Sequence, residues 1–167
     1  YKLGKASYMD PLTQIYNRRG LERKVRAGEA SYEQSDHMAV IMMDIDKFKQ
    51  YNDYYGHDVG DVCLENVGGI FPQILDGEAE IYARYGGEEF IAVFFGKTNE
   101  YVYECAERIR SGIEALQMEH VNQPNRKHVT LSLGVHCASV KEGFEKVLKL
   151  ADENLYEAKR KGGNAVV

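Results

Sequence analysis

Residues 80–95 read EIYARYGGEEFIAVFF, and this stretch decides the fold. It contains two runs rich in β-branched and aromatic residues, 80–85 and 89–95, separated by Gly86 and Gly87. Such residues favour strands. A glycine pair between two strand-like runs indicates a hairpin, because a type I′ turn needs positive φ at both central residues. We therefore predict two antiparallel strands joined at Gly86-Gly87.

The two acids that follow the glycines depart from this strand pattern. Glu88 and Glu89 repel each other, and glutamate is depleted in strands. Such local conflicts often mark functional sites. Because successive strand side chains point to opposite faces, the two are not expected to be equal metal ligands unless a bulge intervenes. The alternative is an acidic hairpin tip that only faces solvent.

A second candidate element lies upstream, at residues 39–43, which form a continuous apolar run. Its length suits a strand buried on both faces. Asp44 and Asp46 follow directly, at a strand end where ligands often bind in α/β proteins. Mg²⁺ prefers oxygen ligands and usually takes one or two carboxylates plus phosphates. The alternative is that Asp46 caps a helix and Asp44 is solvated.

The remaining elements follow from apolar periodicity. Helical spacing predicts helices over 17–27, 47–55, 59–74, 102–116 and 144–158. Residues 129–138 alternate as a strand does, and residues 30–37 are polar, as in a loop. Pro72 is expected to kink or end its helix. The order is mixed α and β, with at least one hairpin in the sheet.

Two further clusters could bind a nucleotide. Residues 52–61 read NDYYGHDVGD, whose amide and carboxylate groups can recognise the edge of guanine. Turn chemistry explains the same composition, and His57 alone is more typical of a structural histidine. Lys47, Lys49 and the basic run 159–161 could hold a triphosphate. The basic run also suits a helix C-terminus, where the macrodipole favours cations.

Composition limits the class of protein. The chain has 167 residues, which suits one domain. Its formal net charge of −5 argues against general binding to nucleic acid or to an anionic membrane. Three cysteines without a CxxC pair predict neither a zinc site nor a disulfide framework, and fit a reducing cytoplasm. No apolar stretch approaches the ~20 residues of a membrane span. The start at Tyr1 predicts that residues 1–9 are a linker from an upstream region.

Taken together, the motifs resemble the GGDEF family, the catalytic domain of diguanylate cyclases. The resemblance extends from Asp10 to Asn164, and its segments occur in the family's order: DPLT at 10–13, NRR at 17–19, DIDKFK at 44–49, the polar segment 52–61, RYGGEEF at 84–90, SLGV at 132–135, and the segment 151–164. It implies one α/β domain over residues 10–167. The implied fold is palm-like, ferredoxin-like or nucleotidyl cyclase-like, with a central, mostly antiparallel sheet flanked by helices.

The resemblance also implies an activity: condensation of two GTP molecules into cyclic di-GMP with release of two pyrophosphates. Each domain of a homodimer would present one GTP, under control of an upstream sensor. We expect a cytoplasmic domain, which a membrane sensor in the full-length protein would be able to tether, with no nucleic-acid or membrane contact of its own.

Residue roles are implied as well. Two Mg²⁺ or Mn²⁺ ions per site would be held by Asp44, the carbonyl of Ile45, and Glu88, with Glu89 in support. Glu88 and Lys49 would be catalytic, Glu88 by favouring deprotonation of the 3′-hydroxyl. The expected substrate-binding residues are Phe48, Asn52, His57, Asp61 and Lys159.

Two departures from the family pattern matter. Gly77 and Glu80 occupy the positions of the arginine and aspartate of the family's inhibitory RxxD motif, which predicts that feedback inhibition through that site is absent. Gly163 stands where a phosphate-binding arginine often follows the last helix, so weaker triphosphate binding is expected unless Arg160 or Lys161 substitutes.

Two other functions stay open: a catalytically silent module that senses GTP or binds a partner, and a cyclase that uses ATP. Asp61 argues against ATP, because a carboxylate suits the hydrogen-bond donors of guanine.

Overall fold

The computed structural model describes residues 7–124 and 127–167. Its helices and strands are, in chain order, α1 (Arg18–Ser31), β1 (His37–Ile45), α2 (Phe48–Tyr55), α3 (His57–Leu75), β2 (Ile81–Gly86), β3 (Glu89–Phe95), α4 (Asn99–Ala115), β4 (Leu131–Ser139) and α5 (Phe144–Arg160). A short 3₁₀ turn, Val140–Glu142, precedes α5.

The four strands form one sheet in the order β2-β3-β1-β4. Every neighbouring pair is antiparallel. β1 therefore lies in the interior of the sheet, and its residues 38–43 are buried, as the continuous apolar run predicts. The predicted antiparallel sheet flanked by helices is confirmed.

Helices cover both faces of the sheet. α3 and α4 pack on one face over alternate residues of β1 and β3, such as Ile41, Met43 and Phe90. α1 and α5 pack on the other, over Met42 and Ile91. α5 crosses β4 at Gly134, where a Cβ would lie 2.1 Å from a backbone nitrogen of the helix. Only glycine allows this approach, which brings the C-terminal end of α5 to the end of β1.

The hairpin is confirmed, but the predicted type I′ turn at Gly86-Gly87 is wrong. β2 includes Gly86, which pairs with Glu89, so the turn consists of residues 87 and 88. Neither glycine has a φ in the left-handed region. The β2–β3 register shifts between Arg84 and Gly86, and the Arg84 Nε donates to the Gly87 carbonyl at 2.9 Å. This irregular pairing moves the turn by one residue.

Other boundaries differ from the sequence-based expectation. α1 continues to Ser31, so the predicted loop 30–37 is shorter. α3 runs through Pro72 to Leu75, because buried Phe71 and Leu75 anchor its last turn in the core. None of the described helices has both the length and the apolar character of a membrane span.

The predicted linker at 1–9 lies mostly outside the described residues. Of the part that is described, the Tyr8 carbonyl accepts from the Asn17 backbone amide at 2.9 Å, and Met9 forms a bridge with Tyr16. The boundary between linker and domain stays a prediction.

Candidate functional site

An acidic edge forms where β1 and β3 meet. Asp44, the penultimate residue of β1, lies directly opposite Glu89 in the antiparallel register. The Ile45 backbone amide donates to the Glu88 carbonyl at 3.3 Å. Side chains of directly opposed residues share a face of the sheet, so the Glu89 side chain lies on the same face as that of Asp44. Glu88 belongs to the turn, where strand alternation no longer applies, and both acids therefore lie near Asp44.

The acids at this edge perturb one another. The pKa of Asp44 is raised to about 7, mainly by burial; Lys159 opposes this shift, and the charges of Glu88, Glu89 and Asp46 add to it. Lys159 Nζ lies 3.7 Å from Asp44 Oδ1 and 3.3 Å from Asp46 Oδ1. One ammonium group thus faces several carboxylates, and the edge carries excess negative charge.

Glu89 shows the same tendency. Burial raises the pKa of Glu89, and the nearby carboxylates of Asp152 and Glu88 add to the effect. Glu89 and Asp152 also line a 610 Å³ groove between the hairpin and α5. The acidic edge is therefore open to solvent and to a ligand on the α5 side.

The donor set of this edge suits a hard divalent cation, because its side-chain ligands are carboxylate oxygens. Within residues 7–124 and 127–167, no group of three or more His, Cys, Asp or Glu side chains is arranged to hold a metal ion as it stands. Lys159 instead pairs with Asp44. A cation would compete with this lysine for Asp44 and complete its shell with carbonyl, water or phosphate oxygens.

Asp46 does not cap a helix, contrary to the alternative considered from sequence. α2 begins after Lys47, which provides no side-chain cap. Asp46 is buried and accepts from the hydroxyls of Thr130 at 2.7 Å and Ser132 at 2.6 Å, and from the backbone amide of Asn164 at 2.8 Å. Sequence reasoning missed these partners, although two hydroxyl residues in the predicted strand 129–138 were a visible signal.

The predicted guanine segment forms the junction of α2 and α3. The side-chain oxygen of Asn52 is buried and has no hydrogen-bond partner among the described residues. It lies against Gly60, where a Cβ would be 1.9 Å away. Asp61, the next residue, is exposed, as is His57 at the start of α3. An unsatisfied buried oxygen is costly, and a ligand with N–H donors would satisfy it.

Two other residues predicted for the site, Phe48 and Lys49, lie in the first turn of α2. The Phe48 side chain is buried and stacks on Tyr51, so only its backbone could meet a substrate. Lys49 is exposed and pairs with Asp53 at 2.9 Å. In the described structure, no ion pair or hydrogen bond joins Lys49 to the acids of β1 and the hairpin.

The end of α5 closes the site on its other side. Gly163 has a φ of +79° and lies against the Asp46 carboxylate. Arg160 pairs with Glu157 on the exposed face of α5, and its substitution for the arginine absent at position 163 stays a prediction. Lys161 is exposed. A 240 Å³ cavity remains beside Gly163, lined by Asp46, Lys47, Gln123, Pro124, Lys159, Gly162 and Gly163.

The region of the RxxD motif carries no basic group at the motif's own positions. Gly77 is exposed with a φ of +79°, and Glu80 is exposed at the start of the hairpin. Both line a 400 Å³ pocket that also contains Asp76 and Lys24.

Comparison with known proteins gives a consistent result. Residues 7–165 match the family model described as diguanylate cyclase, GGDEF domain. The chain is 35% identical over 159 residues to diguanylate cyclase DosC of Escherichia coli, covering 95% of this chain and 34% of that protein. It is 36% identical over 138 residues to diguanylate cyclase A of Treponema denticola, covering 82% and 36%. The chain thus spans about a third of the length of these curated relatives.

Solved structures agree with the sequence relatives. The GGDEF domain of DgcB from Caulobacter crescentus, in complex with c-di-GMP, superposes with a TM-score of 0.86 at 28% identity, over 99% of this chain and 98% of that one. The active GGEEF domain of a diguanylate cyclase from Vibrio cholerae gives 0.75 at 31% identity, over 92% and 96%.

Proposed function

Because this chain belongs to the GGDEF family of diguanylate cyclases, we propose that it condenses two GTP molecules into cyclic di-GMP and releases two pyrophosphates. The observation that carries the proposal is the pairing of Asp44 with Glu89 across β1 and β3, beside the turn residue Glu88. Acids separated by more than 40 residues in sequence meet at one solvent-accessible edge, as the reaction requires.

Asp44, the carbonyl of Ile45, and Glu88 would hold divalent metal, two Mg²⁺ or Mn²⁺ per site, with Glu89 in support. When bound, such ions lower the pKa of the attacking hydroxyl and neutralise charge on the phosphates. The raised pKa of Asp44, caused by burial and by the neighbouring carboxylates, supports this assignment, because a bound cation would stabilise the charged carboxylate. Glu88 would favour loss of the 3′-hydroxyl proton.

The phosphates of GTP would lie between α2 and α5. Lys159 already reaches both Asp44 and Asp46, and it would turn to the phosphates when metal takes its place. The N-terminus of α2 has no side-chain cap, and uncapped backbone N–H groups bind phosphate well. Lys49, on the first turn of α2, would leave its exposed pair with Asp53 to stabilise developing charge.

The base would bind at the α2–α3 junction. Asn52 offers a buried oxygen that lacks a partner, and Asp61 offers a carboxylate on the following helix. Both accept from the N–H groups that guanine presents. Phe48 would contact the substrate through its backbone, and His57 would lie at the edge of the base-binding site. GTP is therefore favoured over ATP.

One domain would present one GTP, so the reaction needs two copies facing each other. Bringing two reactants into attack geometry can supply about 7–11 kcal/mol of the barrier. We infer that a sensor domain in the full-length protein would control this pairing. We place the domain in the cytoplasm, where GTP is available, without nucleic-acid or membrane contact of its own.

The test is product analysis after incubation with GTP and Mg²⁺, with the domain fused to a dimerising coiled coil. We expect cyclic di-GMP and pyrophosphate from the native protein, none from Glu88→Gln, and normal amounts from the matched control Glu80→Gln, an exposed acid outside the site. Failure of the dimerised native protein to form product would refute the activity.

The second candidate is a catalytically silent GTP-binding module. The pairing of Lys49 with Asp53 and the absence of a side chain at Gly163 favour it, because both reduce the positive charge near the phosphates. GTP binding by calorimetry without any product from the dimerised protein is the result that would establish it.

A further inference from the structure

The buried polar side chains of the described chain are concentrated behind the candidate site. These residues are Asp46, His120, Gln123, Thr130 and Ser132. They are linked to one another: the two hydroxyls donate to Asp46, the Gln123 side chain donates to Thr130 at 3.3 Å, and the Gln123 backbone amide donates to the His120 carbonyl at 3.0 Å. Burial of polar groups is costly unless they are hydrogen-bonded, so a linked network fixes geometry.

The residue that this network approaches is Lys47. Its backbone is left-handed, with φ 54° and ψ 39°, a conformation that costs an L-residue about 1–2 kcal/mol. Lys47 lies directly before α2 and also lines the 240 Å³ cavity at the end of α5. Its conformation therefore sets how the uncapped N-terminus of α2 meets that cavity.

His120 holds this strained residue in place. Its Nε2 lies 2.9 Å from the Lys47 carbonyl oxygen, which also accepts from the Tyr51 backbone amide at 3.0 Å. A carbonyl oxygen only accepts, so Nε2 must carry the proton. The ring is fully buried and packs edge-on against Tyr51, with centroids 5.2 Å apart.

The second ring nitrogen of His120, Nδ1, is left unsatisfied. His120 Nδ1 is buried and has no hydrogen-bond partner among the described residues. A leucine would fill the space against Tyr51 without burying an unsatisfied nitrogen. The distinguishing contribution of the histidine is therefore its Nε2–H bond to Lys47.

We propose that His120 is a positioning residue: its Nε2–H fixes the left-handed backbone of Lys47 and so aims the N-terminus of α2 at the phosphates of GTP. The inference rests on the proposed function for its ligand. It concerns the terminal phosphates and not the base, because the hydrogen bond of His120 goes to Lys47, directly before α2.

The test compares His120→Leu, which removes the donor, with His120→Gln, whose amide keeps an N–H at similar reach. Calorimetry with Mg²⁺ would measure binding of α,β-methylene GTP, which cannot release pyrophosphate, and of GMP, which lacks the terminal phosphates. We expect His120→Leu to weaken the triphosphate about 3- to 10-fold, as loss of one hydrogen bond does, and GMP less than twofold. His120→Gln should keep both affinities within about twofold.

Steady-state kinetics on the dimerised protein should show a raised KM for GTP with little change in kcat for His120→Leu. Equal weakening of GMP and the triphosphate would show a merely structural role and overturn the proposal, as would an unchanged triphosphate affinity. Product formation by the native protein tests the proposed function separately, so the two failures are distinguishable.

Thermal denaturation would show whether His120→Leu still folds. A substitution at Lys47 keeps the proposal testable if it does not. Glycine adopts the left-handed region freely, so Lys47→Gly removes the need for a clamp. The triphosphate-specific effect of any substitution at His120, including the milder His120→Asn, should shrink in the Lys47→Gly background. An effect of the same size in both backgrounds would contradict the proposed route through Lys47.

Discussion

A Cβ on Gly163 would lie 2.9 Å from both the Cγ and the Oδ2 of Asp46, closer than real Cβ contacts allow. The φ of Gly163, +79°, adds a second restriction. The turn after α5 thus presses its backbone onto the buried carboxylate that also accepts from the Asn164 amide. Glycine at this position is a requirement of the local structure and not simply the loss of an arginine.

We therefore predict that Gly163→Arg, the substitution toward the family pattern, does not restore phosphate binding. It should lower the free energy of unfolding by about 2 kcal/mol or more, combining left-handed strain with displacement of Asp46, and raise KM for GTP. Urea denaturation and initial rates measure both. Gly163→Ala, which adds only the Cβ, should be destabilised for the same two reasons. Gly77→Ala is its matched control: the φ of Gly77 is also +79°, but no atom lies within 4 Å of the added methyl. Tighter GTP binding by Gly163→Arg at unchanged stability would sink this explanation.

Asp46→Asn should be strongly destabilising although it changes only one functional group. Asp46 accepts from Thr130, Ser132, the Asn164 amide and Lys159, and an amide nitrogen would face donors instead. Loss of hydrogen bonds to a buried charged group predicts a decrease of about 3 kcal/mol in the free energy of unfolding. Asp53→Asn, which breaks an exposed pair, should change it by less than about 1 kcal/mol. Similar denaturant midpoints for the two variants would contradict the assigned role.

The elements of the fold were predictable because their signals are local. The apolar run at 39–43 predicted a strand buried on both faces, and the runs around Gly86 predicted the hairpin. The turn itself was not predictable, since it depends on the shifted pairing between Arg84 and Gly86 and on a contact of the Arg84 side chain.

For the site, motif order identified the acids Asp44, Glu88 and Glu89, which the structure brings to one edge. It did not reveal the polar network behind them. Those contacts join residues distant in sequence: 84 positions separate Asp46 from Thr130, and 73 separate Lys47 from His120. No local pattern marks such pairs, because burial creates them only after the sheet and α5 have assembled.

The ion pair between Asp10 and Arg84 predicts an acid-sensitive component of stability. Burial raises the pKa of Asp10, but hydrogen bonds from Thr13 and the charge of Arg84 outweigh it and leave this pKa below its ordinary value. A lowered pKa in the folded state means that the stabilisation is present above about pH 4 and is lost as the pH falls through the folded value.

Asp10→Asn should therefore reduce stability at neutral pH and show a weaker decline between pH 5 and pH 2 than the native protein. Urea denaturation at several pH values measures this difference, and Asp53→Asn serves as the exposed control. Parallel pH profiles for the native protein and Asp10→Asn would show that the pair contributes nothing.

Product inhibition through the position of the RxxD motif should be absent. Gly77 offers no side chain, and Glu80 and Asp76 outnumber Lys24 among the charged residues of the nearby pocket, whose net negative charge disfavours a ligand with two phosphates. Calorimetry with cyclic di-GMP should show no binding that Glu80→Gln alters, and added product should inhibit only by competition with GTP. Non-competitive inhibition that Glu80→Gln changes would contradict this prediction.

Substitution of two glycines on the same helix should separate guanine recognition from helix stability. A methyl at Gly60 would lie 1.9 Å from the Asn52 oxygen, whereas a methyl at Gly69 would meet no atom within 4 Å. Gly60→Ala must displace Asn52, so we expect GTP binding to weaken at least tenfold, as loss of a guanine contact would do, and preference for GTP over ATP to fall. Gly69→Ala should leave binding unchanged and stabilise α3 by up to about 1 kcal/mol, since alanine has the higher helix propensity. Competition binding with GTP and ATP, together with urea denaturation, measures both effects. If Gly60→Ala kept its full selectivity for GTP, Asn52 would have no part in recognising the base.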